Sequence, residues 1–156
     1  MAASVKRILL KEFEGLVLTA YQDVGGVWTI GWGHTGPDVH QGLVWTHAQA
    51  DAQLAIDLAL FEASVWSDLS RIPTQGQYDA MVDFAYNIGI NAFGQSTMLR
   101  KFNAGDLEGA AKEFGRWIYA FEGVILHREQ ATLIPAATIQ LGLIARRIAE
   151  VIVFYS

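Results

Sequence analysis

The chain has no cysteine among its 156 residues, which excludes disulfides and thiolate metal sites and leaves its redox compartment open. Charged residues are scarce at 17%, and the apolar share of 52% is typical of a compact globular protein. No stretch is long and apolar enough to span a bilayer, and the N-terminal segment lacks the core of a signal peptide. We therefore expect one domain, made in the cytoplasm, without membrane insertion.

The chain also lacks a surplus of basic residues, since its formal net charge is −5. Nucleic acids and bacterial cell walls are both anionic, so this charge gives no general attraction to either. It argues against a nucleic-acid-binding protein more strongly than against a wall hydrolase, which can rely on local contacts in a groove. The histidines His34, His40, His47 and His127 show no helix-face metal spacing, so we expect neither a metal nor a cofactor.

Residues 14–35, which read EGLVLTAYQDVGGVWTIGWGHT, hold the densest group of chemically useful side chains. Apolar residues at three- and four-residue steps predict an amphipathic helix over Ser4–Glu14, capped by its serine. β-Forming residues at Leu16–Tyr21 and Val27–Ile30 flank the pair Gly25-Gly26, which predicts a β-hairpin. A helix end and a small sheet should therefore face each other here.

Glu14 is expected at that helix end, with Asp23 and Thr29 on the sheet opposite. Cleavage of a glycosidic bond needs one protonated carboxyl for the leaving oxygen and one ionised carboxylate for water or for the oxocarbenium-like centre. Partial burial would favour the protonated form of Glu14, whereas a wetter strand would keep Asp23 ionised, and Thr29 can help to hold the water. Taken singly, each residue is better explained as structural. Only the combination of the three indicates catalysis.

Glu14, Asp23 and Thr29 at these spacings, followed by Ile30-Gly31-Trp32-Gly33-His34-Thr35, resemble the signature of the phage-type lysozymes, which are endolysins of the muramidase class. In that family the glutamate is the general acid. The aspartate, with the threonine, handles the water that attacks the sugar, and the anomeric carbon is inverted. The resemblance implies these roles for Glu14, Asp23 and Thr29.

The resemblance also implies an α+β, mostly helical fold with a lysozyme-like two-lobe architecture. A small β-hairpin lobe would cover about residues 15–45, and a long helix over about 46–70 would join it to the helical lobe. That lobe would cover about 74–156 and pack with the N-terminal helix 4–14. The cleft between the two lobes would hold the substrate.

Capping patterns predict where the helices of the second lobe begin. Each of two threonines precedes a glutamine by three residues, at Thr46 with Gln49 and at Thr74 with Gln77. The expected helices run from Thr46 to about Leu69, over Gln75–Ile88 with Gly89 at the end, from Ser96 or Gln95 onward, and over Leu107–Phe114 with Asp106 as cap. The aromatic residues expected in the core are Phe61, Trp66 and Trp117.

The resemblance further implies substrate-binding positions along the cleft. Asn87 follows the run Gln77-x-x-x-Met81-Val82-x-Phe84, and it either bonds a sugar N-acetyl group or caps a helix end. His34 either orders the catalytic loop or is a structural histidine. Ser96 is placed beside the substrate by the family pattern alone. The expected substrate-binding residues are His34, Thr35, Tyr86, Asn87 and Ser96.

The last third of the chain departs from the family pattern. The run Leu141-Gly142-Leu143-Ile144-Ala145-Arg146-Arg147-Ile148-Ala149-Glu150 matches a family helix, but it comes more than a dozen residues late. The intervening Phe121–Gln140 has one glycine, Gly123, where the family has a pair. This segment is open to interpretation as an insertion, a loop over the cleft or an extra helix.

The favoured function is hydrolysis of the β-1,4 bond between N-acetylmuramic acid and N-acetylglucosamine in peptidoglycan, a linkage that the resemblance implies. The enzyme would act as a monomer on the glycan strand of the cell wall, reached through a holin-type membrane permeabiliser. A lytic transglycosylase would use Glu14 alone, and the presence of Asp23 and Thr29 argues against it. A third interpretation is a non-catalytic wall-binding or structural module that keeps the fold without activity.

Overall fold

The structure is a computed structural model that describes residues 5–121, 124–131, 133–134 and 137–156. Within these ranges no helix combines the length and the apolar character that crossing a membrane requires. The helices are α1 (Val5–Glu14), α2 (His47–Asp68), α3 (Gln75–Ile88), α4 (Ile90–Gly94), α5 (Thr97–Asn103), α6 (Leu107–Phe114), α7 (Arg128–Ala131) and α8 (Leu141–Phe154). The strands are β1 (Val17–Gln22), β2 (Trp28–Gly31), β3 (His34–Thr35), β4 (Tyr119–Phe121), β5 (Val124–Leu126) and β6 (Thr138–Ile139).

Both predicted capping boxes are present, and they fix the starts of α2 and α3. The Thr46 hydroxyl accepts from the Gln49 amide at 3.2 Å, and the Gln49 side chain accepts from the Thr46 amide at 2.8 Å. Thr74 and Gln77 make the same pair of bonds at 3.2 and 2.9 Å. Each box satisfies amides that a helix start leaves unpaired, and losing a cap typically costs about 1 kcal/mol.

The predicted hairpin is confirmed, and the sheet gains a third strand. β1, β2 and β3 pair antiparallel in that order, with Tyr21 opposite Thr29 and Ile30 opposite His34. Ile30 is fully buried in the small core of this lobe. The predicted N-cap Ser4 lies outside the described residues.

The main core surrounds α3, whose Ala80, Met81, Val82, Phe84 and Ala85 have no exposed surface. The Phe84 ring packs edge-on against the rings of Phe93, Phe114 and Trp117. The prediction that Trp117 is a core residue is confirmed, since it is 8% exposed.

The prediction for Trp66 is wrong, because its side chain is 57% exposed. It lies in the last turn of α2. The buried face of this helix contains Leu58 and Val65, and Trp66 is not on that face. Its ring meets the Tyr78 ring edge-on, with the centroids 5.8 Å apart. Phe61 packs as a partly buried residue against the core.

The late segment forms a second small antiparallel sheet, in the order β5-β4-β6, together with the short helix α7. It therefore combines strands with a single turn of helix, and Ile125 on β5 reaches the large cavity of the protein. Residues 122–123, 132 and 135–136 of this segment are outside the described residues. The predicted final helix is present as α8, which packs against α3 and α1.

Candidate active site

Glu14 is the last residue of α1, and an arginine of α8 binds its carboxyl group. Arg146 Nη1 donates to Glu14 Oε1 at 2.5 Å, with the Glu14 side chain 21% exposed and Arg146 3%. The other oxygen, Oε2, faces the backbone of Gly33, where a Cβ atom would lie 3.2 Å away. Gly33 also has φ +92°, a conformation that glycine adopts freely. Glycine at this position therefore leaves Oε2 uncrowded.

Arg146 is itself balanced by a second carboxylate, Asp83 on α3. Arg146 Nε donates to Asp83 Oδ2 at 3.0 Å, and Nη2 donates to Oδ1 at 3.1 Å. Burial disfavours the charge on Arg146, but the neighbouring Asp83 and Glu14 carboxylates outweigh that effect and raise its pKa. The guanidinium therefore stays charged and bridges the two acids.

Asp23 lies in a turn, which corrects the prediction that it is a strand residue. β1 ends at Gln22, and the Asp23 amide and carbonyl bond to Val27 and Gly26 across the turn. Its Oδ1 accepts from the amides of Gly25 at 2.9 Å and Val27 at 2.8 Å. An aspartate that binds backbone amides two and four residues ahead stabilises the turn itself, which the β-forming pattern could not distinguish from a strand end.

Thr29 lies on β2, where the hairpin prediction places it, and is 6% exposed. Its hydroxyl donates to the Val27 carbonyl at 3.1 Å. The lone pairs of the same oxygen can then accept a hydrogen bond from a neighbour. Asp23 and Thr29 both engage Val27, so the turn couples the positions of the two side chains.

Tyr21 was not predicted as a site residue, although the charges of both Asp23 and Glu14 act on its hydroxyl. Burial raises the pKa of Tyr21, and the charges of Asp23 and then Glu14 raise it further. Both carboxylates therefore act on one phenol. The available sequence signal was its place two residues before Asp23 in the predicted hairpin. The structure pairs Tyr21 directly with Thr29 in the sheet.

A cavity of about 620 Å³ extends from Gly33 between the β3 strand, α2 and the end of α3. Four of the predicted substrate-binding residues line it, namely His34, Thr35, Tyr86 and Asn87. Another wall comes from α2, which was not predicted to border the site, and consists of Gln53, Ile56, Asp57 and Leu60. Helical periodicity did not show which face of α2 borders the cavity.

His34 is fixed by two aspartates and an aromatic ring. Its Nδ1 lies 2.8 Å from Asp57 Oδ2, and its Nε2 lies 3.4 Å from Asp38 Oδ2. The imidazole packs on Trp45, with the ring centroids 5.5 Å apart. These contacts join β3 to α2, so His34 orders the loop after the sheet.

Tyr86 and Asn87 connect the cavity to deeper parts of the molecule. The Tyr86 hydroxyl donates to the Trp32 carbonyl at 3.1 Å, next to Gly33. Burial raises the pKa of Tyr86, as do the charges of Asp57 and Glu14, so the phenol remains a donor. Asn87 Oδ1 accepts from Arg147 Nη2 at 2.7 Å, which leaves its amide group for other partners.

Ser96 does not belong to the cavity lining, unlike the other predicted binding residues. It is 5% exposed and caps α5, with its hydroxyl accepting from the Leu99 amide at 3.1 Å. Capping fully accounts for a serine at this position. We therefore leave Ser96 out of the proposed site.

The fold and the cleft are those of a lysozyme-like glycoside hydrolase, with an acid at a helix end, a second acid in the turn of the small hairpin, and a groove toward the helical lobe. The chain belongs to the phage lysozyme family, whose model, described as phage lysozyme, matches residues 11–150.

Relatives and solved structures agree with this assignment. An endolysin from Acyrthosiphon pisum secondary endosymbiont phage 1 is 41% identical over 149 residues, which cover 96% of this chain and 94% of the relative. The muramidase domain of SpmX from Asticaccaulis excentricus superposes with a TM-score of 0.84 at 36% identity, covering 100% of this chain and 98% of that domain. An endolysin from Escherichia coli O157:H7 phage FAHEc1 gives 0.80 at 33% identity, with 99% and 93% covered.

Proposed function

We propose that this protein hydrolyses the β-1,4 bond between N-acetylmuramic acid and N-acetylglucosamine in peptidoglycan, with Glu14 as general acid and Asp23 and Thr29 directing the water. The observation that carries the proposal is geometric: Glu14 Oε2 lies against Gly33, which lines the cavity, and Val27 holds Asp23 and Thr29 together in the hairpin of the same lobe. Membership of the phage lysozyme family supports the same substrate class.

Glu14 would give its proton to the leaving oxygen of the glycosidic bond. Arg146 bonds to Oε1 and so fixes the orientation of the carboxyl, which leaves Oε2 to carry the proton. Because Asp83 neutralises Arg146, the guanidinium holds Glu14 without presenting an unbalanced positive charge to it. A group that must be protonated to act can therefore sit beside an arginine.

Asp23 would take a proton from the attacking water on the opposite face of the sugar. Both turn amides bind to its Oδ1, and Oδ2 accepts neither of those bonds. The Thr29 oxygen, oriented by its bond to Val27, would accept a hydrogen bond from the same water. Direct attack by water gives inversion at the anomeric carbon, which NMR of the first-formed sugar anomer would detect.

The glycan strand would occupy the cavity beyond Gly33. The free amide of Asn87 suits an N-acetyl carbonyl, and His34, Thr35 and Tyr86 line the cavity together with Gly33. The aliphatic side chains of α2 would contact the apolar faces of the sugar rings. Ile56 and Leu60 are 57% and 63% exposed there, which leaves them available for such contacts.

The protein would act as a monomer on the bacterial cell wall in the periplasm, after synthesis in the host cytoplasm and with a holin-type permeabiliser. The likeness to relatives named endolysins, such as that of Acyrthosiphon pisum secondary endosymbiont phage 1, supports the cell wall as the place of action. The net charge of −5 supports the absence of a nucleic-acid partner.

The test is clearance of permeabilised Gram-negative cells by the protein and by Glu14→Gln. The glutamine keeps an oxygen for Arg146 but carries no acidic proton, so clearance should fall at least about 100-fold. Glu12→Gln is the matched control, because Glu12 is an exposed glutamate of the same helix. Equal clearance by the Glu14 variant would refute the catalytic role of Glu14.

Two other functions give different results in the same experiment. A lytic transglycosylase would release fragments with anhydromuramyl ends, which mass spectrometry distinguishes from the reducing ends left by hydrolysis. A non-catalytic wall-binding module would sediment with peptidoglycan without clearing cells.

A further inference from the structure

A buried cluster of charged side chains extends from Glu14 into the core of the protein. Besides Arg146 and Asp83, it contains Arg147 and Glu150 of α8, which are 2% and 0% exposed. Arg147 Nη2 donates to Glu150 Oε1 at 2.8 Å, and Arg146 Nε lies 3.7 Å from the same oxygen. The cluster thus runs without interruption from the acid at the helix end to the core of the helical lobe.

Among the described side chains, the charges of this cluster do not balance. Glu14, Asp83 and Glu150 carry three negative charges when ionised, whereas Arg146 and Arg147 carry two positive ones. An unbalanced charge in the core is costly, and a titratable group removes that cost by taking up a proton. One proton bound anywhere in the cluster makes it neutral.

Glu150 is the buried residue best placed to take that proton. Its Oε2 lies 2.8 Å from Arg147 Nε but is not aligned for a hydrogen bond, and no described residue donates to it. Burial raises the pKa of Glu150 well above its usual range, and the Asp83 carboxylate adds to the rise while Arg147 opposes it. Glu14, at the surface end, is the other place where the proton can reside.

Resting on the proposed function, we propose that one proton is shared between Glu14 and the buried pair Asp83 and Glu150, so that this pair sets the pH at which the catalytic acid is lost. Two neutral states result. With the proton on Glu14, the acid is ready to act and the buried pair is ionised. With the proton on the pair, Glu14 is ionised against Arg146. Asp83 and Glu150 are positioning residues, because they act through Arg146 and touch no substrate.

The other charged and titratable groups that the structure describes near the cluster leave this balance unchanged. The charges of Asp23, in the hairpin turn, and of Glu14 both act on the Tyr21 phenol, and the Tyr86 phenol of α3 is kept neutral by burial. On α6, which also packs against α8, the buried Glu113 pairs with Lys101 at 2.7 Å. The exchange is therefore confined to the residues that Arg146 and Arg147 join.

The first test is the pH profile of cell clearance for Glu150→Gln and Asp83→Asn. Each change removes a negative charge, so the cluster is neutral with Glu14 ionised and protonating Glu14 leaves it with one excess positive charge. The alkaline limb of the profile, where clearance is lost as Glu14 gives up its proton, should move to lower pH by about one unit or more. Glu113→Gln, which removes another buried carboxylate, should leave the limb in place. An unmoved limb in Glu150→Gln would overturn the proposal, because glutamine copies a glutamate that is always protonated.

The second test needs no activity and keeps the protein's core intact. Carbon-13 NMR of labelled glutamate carboxyls should show Glu150 partly protonated near neutral pH. Glu14→Gln removes the excess negative charge and should move the Glu150 resonance to the ionised position, while Glu12→Gln should not. A Glu150 resonance that ignores Glu14→Gln would refute the sharing. If the protein clears cells no faster than Glu14→Gln, the proposed hydrolase fails, and the NMR result still decides on the shared proton.

Discussion

The two acids of the site are held by contrasting parts of the molecule. Asp23 is fixed by its own turn, through amides two and four residues away along the chain. Glu14 is fixed by Arg146, 132 residues away, and Arg146 in turn by Asp83, 63 residues away. The Asp23 side of the proposed site is therefore a local structure, whereas the Glu14 side exists only after α1, α3 and α8 have packed together.

This difference predicts how each side fails when it is altered. If Asp23 loses its charge, its turn can still form, because hydrogen bonds to the backbone amides of the turn remain. A buried ionic cluster fails as a unit, because removing one partner leaves another charge uncompensated in the core.

Arg146→Met should have the largest effect. It leaves Asp83 buried without its cation and frees Glu14, so the free energy of unfolding should fall by about 3–5 kcal/mol. Urea denaturation measures the change, and clearance of cells should be lost as well. Arg100→Met is the control, since Arg100 is exposed on α5 and bonds to Thr97, and it should cost below about 1 kcal/mol. Equal losses in the two variants would mean that the buried cluster does not stabilise the helical lobe.

Gly33→Ala should reduce both stability and activity, and Gly42→Ala separates the two effects. Both glycines have positive φ, +92° and +84°, so each alanine should cost about 1–2 kcal/mol in backbone strain. A Cβ atom at Gly33 would also lie 3.2 Å from Glu14 Oε2, whereas a Cβ atom at Gly42 would meet nothing within 4 Å. Thermal unfolding should fall similarly in both variants, and clearance should fall at least about tenfold only in Gly33→Ala. Full activity in Gly33→Ala would contradict the need for open space at Oε2.

Asp23 offers the corresponding test on the local side. Asp23→Asn keeps an oxygen for the Gly25 and Val27 amides but loses the charge, so clearance should collapse while stability changes by less than about 0.5 kcal/mol. Asp23→Ala also removes the turn bonds and should cost about 1 kcal/mol. Turbidity and urea denaturation measure the two effects. An active Asp23→Asn enzyme would exclude the water-activating role.

The smallest effect concerns Asp51, which links α2 to Lys11 and Trp32 at 2.8 Å each. The hydrogen bond from Lys11 is the main cause that lowers the pKa of Asp51; burial opposes it, and the hydrogen bond from Trp32 lowers the pKa further. A lowered folded-state pKa adds stability above the ordinary aspartate pKa of about 3.9, and that stability is lost as the pH falls through the folded value.

Because Asp51 is 39% exposed, solvent screens this contribution to a few tenths of a kcal/mol at most, by order of magnitude. Asp51→Asn should therefore only slightly reduce the fall in the free energy of unfolding with decreasing pH, as measured by urea denaturation from neutral to acid pH. A loss above about 1 kcal/mol at neutral pH would show a larger structural role for the contact with Trp32.

The sequence alone determined the features that depend on neighbours along the chain. The capping boxes at Thr46 and Thr74, the cap at Asp106 and the hairpin around Gly25-Gly26 follow from side chains that bond to the backbone within a few residues. Such contacts carry the same signature wherever they occur, so spacing was enough to find them.

Tertiary structure alone decided which faces meet. Trp66 points outward, α2 forms a wall of the cavity, and Asp83 and Glu150 are buried acids, although none of this shows in helical periodicity. The physical reason is that a buried charge is stable only next to its partner, and the partners here come from α1, α3 and α8, which are distant in sequence. The sequence located the acid Glu14, but only the packed helices determined which charges surround it.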